Sequence, residues 1–148
     1  MHKVTIYTET TLKGPCIKDG QYAAVVEFEK QNGQTVTRNI FGAEEKTTYH
    51  RSTLLACLKA LELLNVPCQV HIFTANQMIV SAIERSDLEK WERNEWKNSK
   101  NEDLKNKDLW QLFKEQLEKH EVTIERATSN GYSKWMFGEM NKRSGEHE

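Results

Sequence analysis

HRSTLLACLKALELLNVPCQVHIFTANQMIV, residues 50–80, changes its hydrophobic period twice, and those changes set the architecture. Leu54, Leu55, Leu58, Leu61 and Leu64 recur at three- and four-residue steps, which predicts a helix over about 52–64. Asn65-Val66-Pro67 ends it, because proline lacks the N–H that would continue the helical ladder. Val70 and Ile72 then alternate with polar neighbours, as in a buried strand over 69–73. Asn76 is placed to cap a second helix over 76–85. A strand, a helix and a strand in succession imply a crossover and parallel pairing.

Outward from this stretch, the amino-terminal side reads as antiparallel sheet. Val4 and Ile6 alternate with Thr5 and Tyr7 in a strand over 3–8. Gly-Pro and Asp-Gly mark residues 12–21 as a loop. A Val- and Phe-rich strand over 22–29 turns at Gln31-Asn32-Gly33 into a third over 35–40, since Asn and Gly tolerate positive φ. On the carboxyl-terminal side come a short charged, Trp-bearing segment (88–96) and a polar loop (98–106). A helix follows over 108–119, with Leu109, Leu112, Phe113 and Leu117 inward. The chain closes with a strand over 122–126, a helix over 133–142 and a tail. The expectation is one α/β domain over residues 1–142, a mixed five-stranded sheet with helices on both faces, and a disordered tail over 143–148.

The bulk numbers agree with one soluble domain. The chain has 148 residues, 37% hydrophobic and 29% charged. It contains no apolar run near the roughly 20 residues needed to span a bilayer, and no signal-peptide core at its start, so a cytoplasmic location is expected. Cys16, Cys57 and Cys68 have no CxxC spacing and the five histidines no HExxH spacing, which predicts reduced thiols and no zinc site. The net charge of −1 advertises no global field for nucleic acid. Any such binding needs a local patch, and Lys97, Lys100, Lys105 and Lys107 are the best candidates, diluted by Glu92, Glu95, Glu102, Asp103 and Asp108.

The element order resembles that of the ribonuclease H family, and several segments match in detail. VTIYTETT is similar to the family's first strand, which ends in an acidic residue. Arg51, Leu54, Ala56, Ala60, Leu61, Glu62 and Leu64 fall in register with its first helix, and Thr74 and Gln77 with its Thr-Asp-Ser-Gln segment. The most specific match is WERNEWKNSKNEDLKNKDLWQLF, residues 91–113, which resembles the bacterial type 1 pattern at Trp91, Trp96-Lys97, Lys105-Asn106 and Asp108-Leu109-Trp110. The resemblance spans about residues 3–142. It implies hydrolysis of the RNA strand of RNA–DNA hybrids by two metal ions held on four acidic ligands.

The chain departs from that pattern where the chemistry resides. Glu9 stands at the first-strand ligand, Thr53 at the helix ligand, Ala75 at the fourth-strand ligand and Phe137 at the terminal-helix ligand; a register slip would bring Glu139 there instead. Two divalent ions about 3.5–4 Å apart need several carboxylates to bind them and screen their repulsion. One carboxylate does not suffice, so the expected metal content is none. The family's His loop before the last helix is missing, the stretch here being Ala127–Gly131; its paired Asn before the helix Arg becomes Tyr49-His50 and its Gly-rich loop after the first strand is reduced to Gly14-Pro15 and Gly20, and these last two changes put minor-groove reading of 2′-hydroxyls in doubt.

Three functions follow. The first is a catalytically inactive or severely impaired domain that binds RNA, DNA, an RNA–DNA hybrid or a protein, with Gln77, Trp91, Trp96, Lys97, Lys100 and Lys105 as nucleic-acid contacts. In it Glu9 is a relic or a solvated carboxylate. Trp91 and Trp96 either stack on nucleic acid or pack the protruding helix, whereas Trp110 is core. The second is a remodelled nuclease using Mg²⁺ or Mn²⁺ on Glu9, Glu139 and Glu62. The third is a protein-interaction module using Trp135, Phe137 and Met140, since aromatic and Met side chains favour interfaces. Alternatively Trp135 and Phe137 fill the vacated metal pocket.

Overall fold

The computed structural model describes residues 1–145. The chain forms β1 (His2–Thr10), β2 (Lys18–Glu29), β3 (Thr35–Thr47), α1 (Tyr49–Leu61), β4 (Cys68–Thr74), α2 (Gln77–Glu84), α3 (Asp87–Arg93), α4 (Lys107–Lys119), β5 (Glu121–Arg126) and α5 (Ser133–Gly145). The sheet order is β3-β2-β1-β4-β5, with β1 antiparallel to β2 and parallel to β4. The expected fold, three antiparallel strands followed by parallel crossovers, is the one observed.

Alternation in β1 and β2 sorts side chains to two faces. Val4, Ile6, Ala24 and Val26 join Val70 and Ile72 against Leu54, Leu58, Leu61 and Phe113 in the main core. Ala23 and Val25 point the other way and are covered by Met136 and Met140 of α5. Helix α1 is buried over most of its circumference, from Ser52 to Leu61, because the sheet lies on one side and α4 on the other. Arg51 locks that junction: its guanidinium donates to both Asp108 oxygens at 3.1 and 2.9 Å and to Glu44 at 3.0 Å, which holds the Asp108 carboxyl below its usual range.

Several boundaries differ from the sequence reading. Strand β2 begins at Lys18, because a bulge between Lys18 and Gly20 absorbs the Asp-Gly signal and Asp19 Oδ1 accepts from the Lys46 amide at 2.9 Å. Strand β3 runs to Thr47, paired with β2 along its length. This close pairing requires Gly42, where a Cβ would lie 2.3 Å from the Tyr22 ring. Helix α1 starts at Tyr49 because the Thr48 hydroxyl caps it, accepting from the Arg51 amide at 3.2 Å. Leu112 is 44% exposed, not inward: Trp110 takes the buried arc of α4 with Leu109 and Phe113 and leaves Leu112 just outside it. The terminal helix continues through residues 143–145, which were expected in the tail; residues 146–148 lie outside the described residues.

His120 ends α4 in the core, where its Nδ1 accepts from the Cys68 amide at 3.0 Å. That bond requires an unprotonated Nδ1, and burial lowers the imidazole pKa below the ordinary 6.5. The unfolded chain therefore binds this proton more readily, and folding stability rises with pH across the gap. The contribution is full above the unfolded value and is lost as pH falls through the folded one. Titration by imidazole NMR is expected to show His120 neutral below pH 6.5, with the thermal midpoint falling as the ring protonates; protonation at or above 6.5 would refute this.

Candidate functional site

The carboxyl ends of β1, β4 and β5, three parallel strands, meet the start of α1 and the chain leading into α5 around a cavity of about 310 Å³. Strand carboxyl ends beside a change of strand direction are where open sheets take ligands, because the diverging connections leave a crevice. Glu9, Thr53, Ala75 and Phe137 all line this one cavity, with Lys13, Tyr49 and Arg126 around them. Phe137, rather than Glu139, faces it.

Each of the four positions has its own chemistry. Glu9 is half-buried; burial pushes its carboxyl pKa up, while the Ser133 hydroxyl and the Lys13 ammonium pull it down. The Thr53 hydroxyl is buried and already engaged, donating to the Tyr49 carbonyl at 2.9 Å and accepting from Asn76 Nδ2 at 3.4 Å. Asn76 caps α2 as expected, its Oδ1 accepting from the Ile79 amide at 3.3 Å, and its Nδ2 lies 2.9 Å from His50 Nδ1. Ala75 offers only a carbonyl, which accepts from Arg126 Nε at 3.4 Å. The Phe137 ring carries the Lys13 ammonium 5.6 Å from its centroid.

A pair of divalent cations does not fit this set. One carboxylate faces two cations, and the hydroxyl and methyl groups at the other positions add no negative charge. Among the described residues, no group of three or more His, Cys, Asp or Glu is close enough to hold an ion. The acids that a remodelled site would recruit point elsewhere: Glu62 caps the far end of α1 beside Lys59, and Glu139 pairs with Lys142 at 3.2 Å.

The expected nucleic-acid contacts are scattered in role. Trp96 is 7% exposed and is part of the core, so it does not offer a face for stacking. It anchors the segment after α3 from inside, its amide donating to the Trp91 carbonyl at 2.7 Å and its carbonyl accepting from the Leu104 amide at 3.0 Å. Trp91 is half-buried and packs edge-on against Trp110. Lys97 pairs with Asp103 at 3.1 Å, and Lys107 with the same oxygen at 3.5 Å. Lys100 and Lys105 are exposed, and Gln77 is exposed with its Nε2 donating to Ser81 at 2.9 Å. On α5, Met140 is buried and Trp135 is 44% exposed, lying edge-on to Phe41 instead of filling the cavity.

Lys13, Tyr49 and Arg126 complete the cavity, and sequence reading did not single out the first and last. The available signal was position: Arg126 ends the fifth strand, and Lys13 follows closely on the end of the first.

The fold and the placement of these positions define the class. The RNase H family model matches residues 1–128, and the chain belongs to that family. It is 36% identical over 129 residues to a ribonuclease H of Caldicellulosiruptor saccharolyticus, covering 85% of this chain and 83% of the relative. It is 34% identical over 124 residues to a ribonuclease H of Chlorobium phaeobacteroides, covering 84% and 81%. Among solved structures, LC9-RNase H1, a type 1 RNase H with the type 2 active-site motif, superposes with a TM-score of 0.76 at 20% identity, over 92% of this chain and 70% of that one. The foamy-virus RNase H domain gives 0.59 at 15% identity, over 87% and 79%. No helix among the described residues is long and apolar enough to cross a membrane.

Proposed function

We propose that this chain is an RNase H-family domain that no longer hydrolyses RNA by the two-metal route and instead binds nucleic acid, RNA or RNA–DNA hybrid. The observation that carries this reading is the donor set at the strand ends: one carboxylate among a hydroxyl, a methyl group and a phenyl ring. A hard cation gains little from such a site, and without the cation nothing on these residues generates a metal-bound nucleophile or neutralises the scissile phosphate. A cytoplasmic setting belongs to the same reading.

The test is a pair of measurements on one preparation. Incubation of a labelled RNA–DNA hybrid with Mg²⁺ or Mn²⁺ is expected to leave it intact, while a binding titration with the same hybrid saturates. Metal-dependent cleavage that Glu9→Gln abolishes would overturn the loss of hydrolysis. Absence of binding to hybrid, RNA and DNA would overturn the binding half and direct attention to a protein partner at the exposed Trp135.

A further inference from the structure

We infer that the cavity at the strand ends binds a backbone phosphate of nucleic acid directly, through Lys13 and Arg126, with no metal ion. The inference rests on the nucleic-acid reading above and assigns it a site.

Unpaired cations on a surface are ordinary; two bordering one concavity are more informative. Among the described residues, neither Lys13 nor Arg126 has a salt-bridge partner, and the two Nη groups of Arg126 have no hydrogen-bond partner. Arg126 is held by its Nε contact to the Ala75 carbonyl, and Lys13 rests over the Phe137 ring. Each cation is therefore anchored by a residue that stands where the family places an acidic ligand. The Phe137 ring gives Lys13 its seat, whereas Arg126 is held by the backbone at residue 75, with no carboxylate side chain there to neutralise it. Glu9 is the one anion in the lining, so positive charge prevails.

The other lining groups suit the same ligand. Burial and the nearby Glu9 push the Tyr49 phenol pKa up, so it stays protonated and able to donate at neutral pH. Thr128 adds a hydroxyl at the rim. A guanidinium recognises phosphate through paired N–H donors and an ammonium as a point charge. Together they bring two positive charges to a phosphodiester without a metal ion. Such a site carries no base-edge reading, so it recognises backbone and not sequence.

The test is fluorescence anisotropy of a labelled RNA–DNA hybrid in EDTA, with inorganic phosphate as a competing probe. Lys13→Glu and Arg126→Glu are each expected to weaken hybrid binding roughly tenfold and to flatten the slope of log affinity against log salt by about 0.9 for each phosphate no longer neutralised. Glu9→Gln, which removes the opposing charge, is expected to tighten binding, opposite to its effect in a metal site. Lys13→Gln and Arg126→Gln, checked by circular dichroism, guard against loss of fold by charge reversal. Hybrid binding that survives both charge reversals with an unchanged salt slope overturns the site while leaving the proposed function standing. Binding that EDTA abolishes overturns the metal-free assignment. Sensitivity confined to inorganic phosphate would make the ligand a small anion and overturn the backbone assignment, and absence of any nucleic-acid binding overturns site and function together.

Discussion

The combined substitutions Glu9→Asp, Thr53→Glu, Ala75→Asp and Phe137→Asp are expected to return Mg²⁺-dependent cleavage of the RNA strand of a hybrid. The expected rise is at least roughly a thousandfold over the starting chain, about 4 kcal/mol of activation barrier. The expectation comes from placement: all four positions already line one cavity of about 310 Å³, so carboxylates introduced there converge without rebuilding the backbone. The effect should be cooperative, since a metal pair needs several anionic oxygens at once and each single replacement leaves the set short. Calorimetric titration with Mn²⁺ separates the steps. A folded quadruple variant that binds Mn²⁺ and still leaves the hybrid intact would mean that hydrolysis was lost for a reason beyond the carboxylates.

Trp96→Ala is expected to act on stability. The indole is 7% exposed and belongs to the main core, so its removal forfeits both burial and packing, about 3–5 kcal/mol. For a domain of this size that lowers the melting temperature by roughly 10 °C or more. The loss extends to the segment that follows, since the Trp96 backbone ties Trp91 to Leu104. Thermal denaturation followed by circular dichroism measures it. A variant as stable as the parent but weaker for nucleic acid would return Trp96 to the role of a stacking platform.

The two tryptophans near residue 96 illustrate where sequence reading stops. Trp91 and Trp96 sit in the same charged stretch, and nothing in their neighbours says which is buried. Trp96 is buried where the backbone turns, with positive φ at both Glu95 (56°) and Trp96 (60°), a conformation that the apolar pattern does not announce. The arc of α4 is a similar case: period alone assigned Leu112 inward, and the bulk of Trp110 displaced it.

The fold itself was legible from local pattern. Alternation over Val4–Tyr7, the leucine spacing of α1 and the Pro67 break are short-range signals, each readable without knowing any distant contact. The absence of acidic residues at positions 53 and 75 was equally legible, because identity is a property of the string, whereas the choice between Phe137 and Glu139 stayed open until the cavity lining placed Phe137 there. Tertiary structure alone decided which other side chains share their cavity. Lys13, Tyr49 and Arg126 lie far apart in the chain and come together because β1, β4 and β5 run parallel and end side by side around α1. Local sequence specifies each strand and its end; only the pairing of strands across the sheet converts those separate ends into one electropositive cavity.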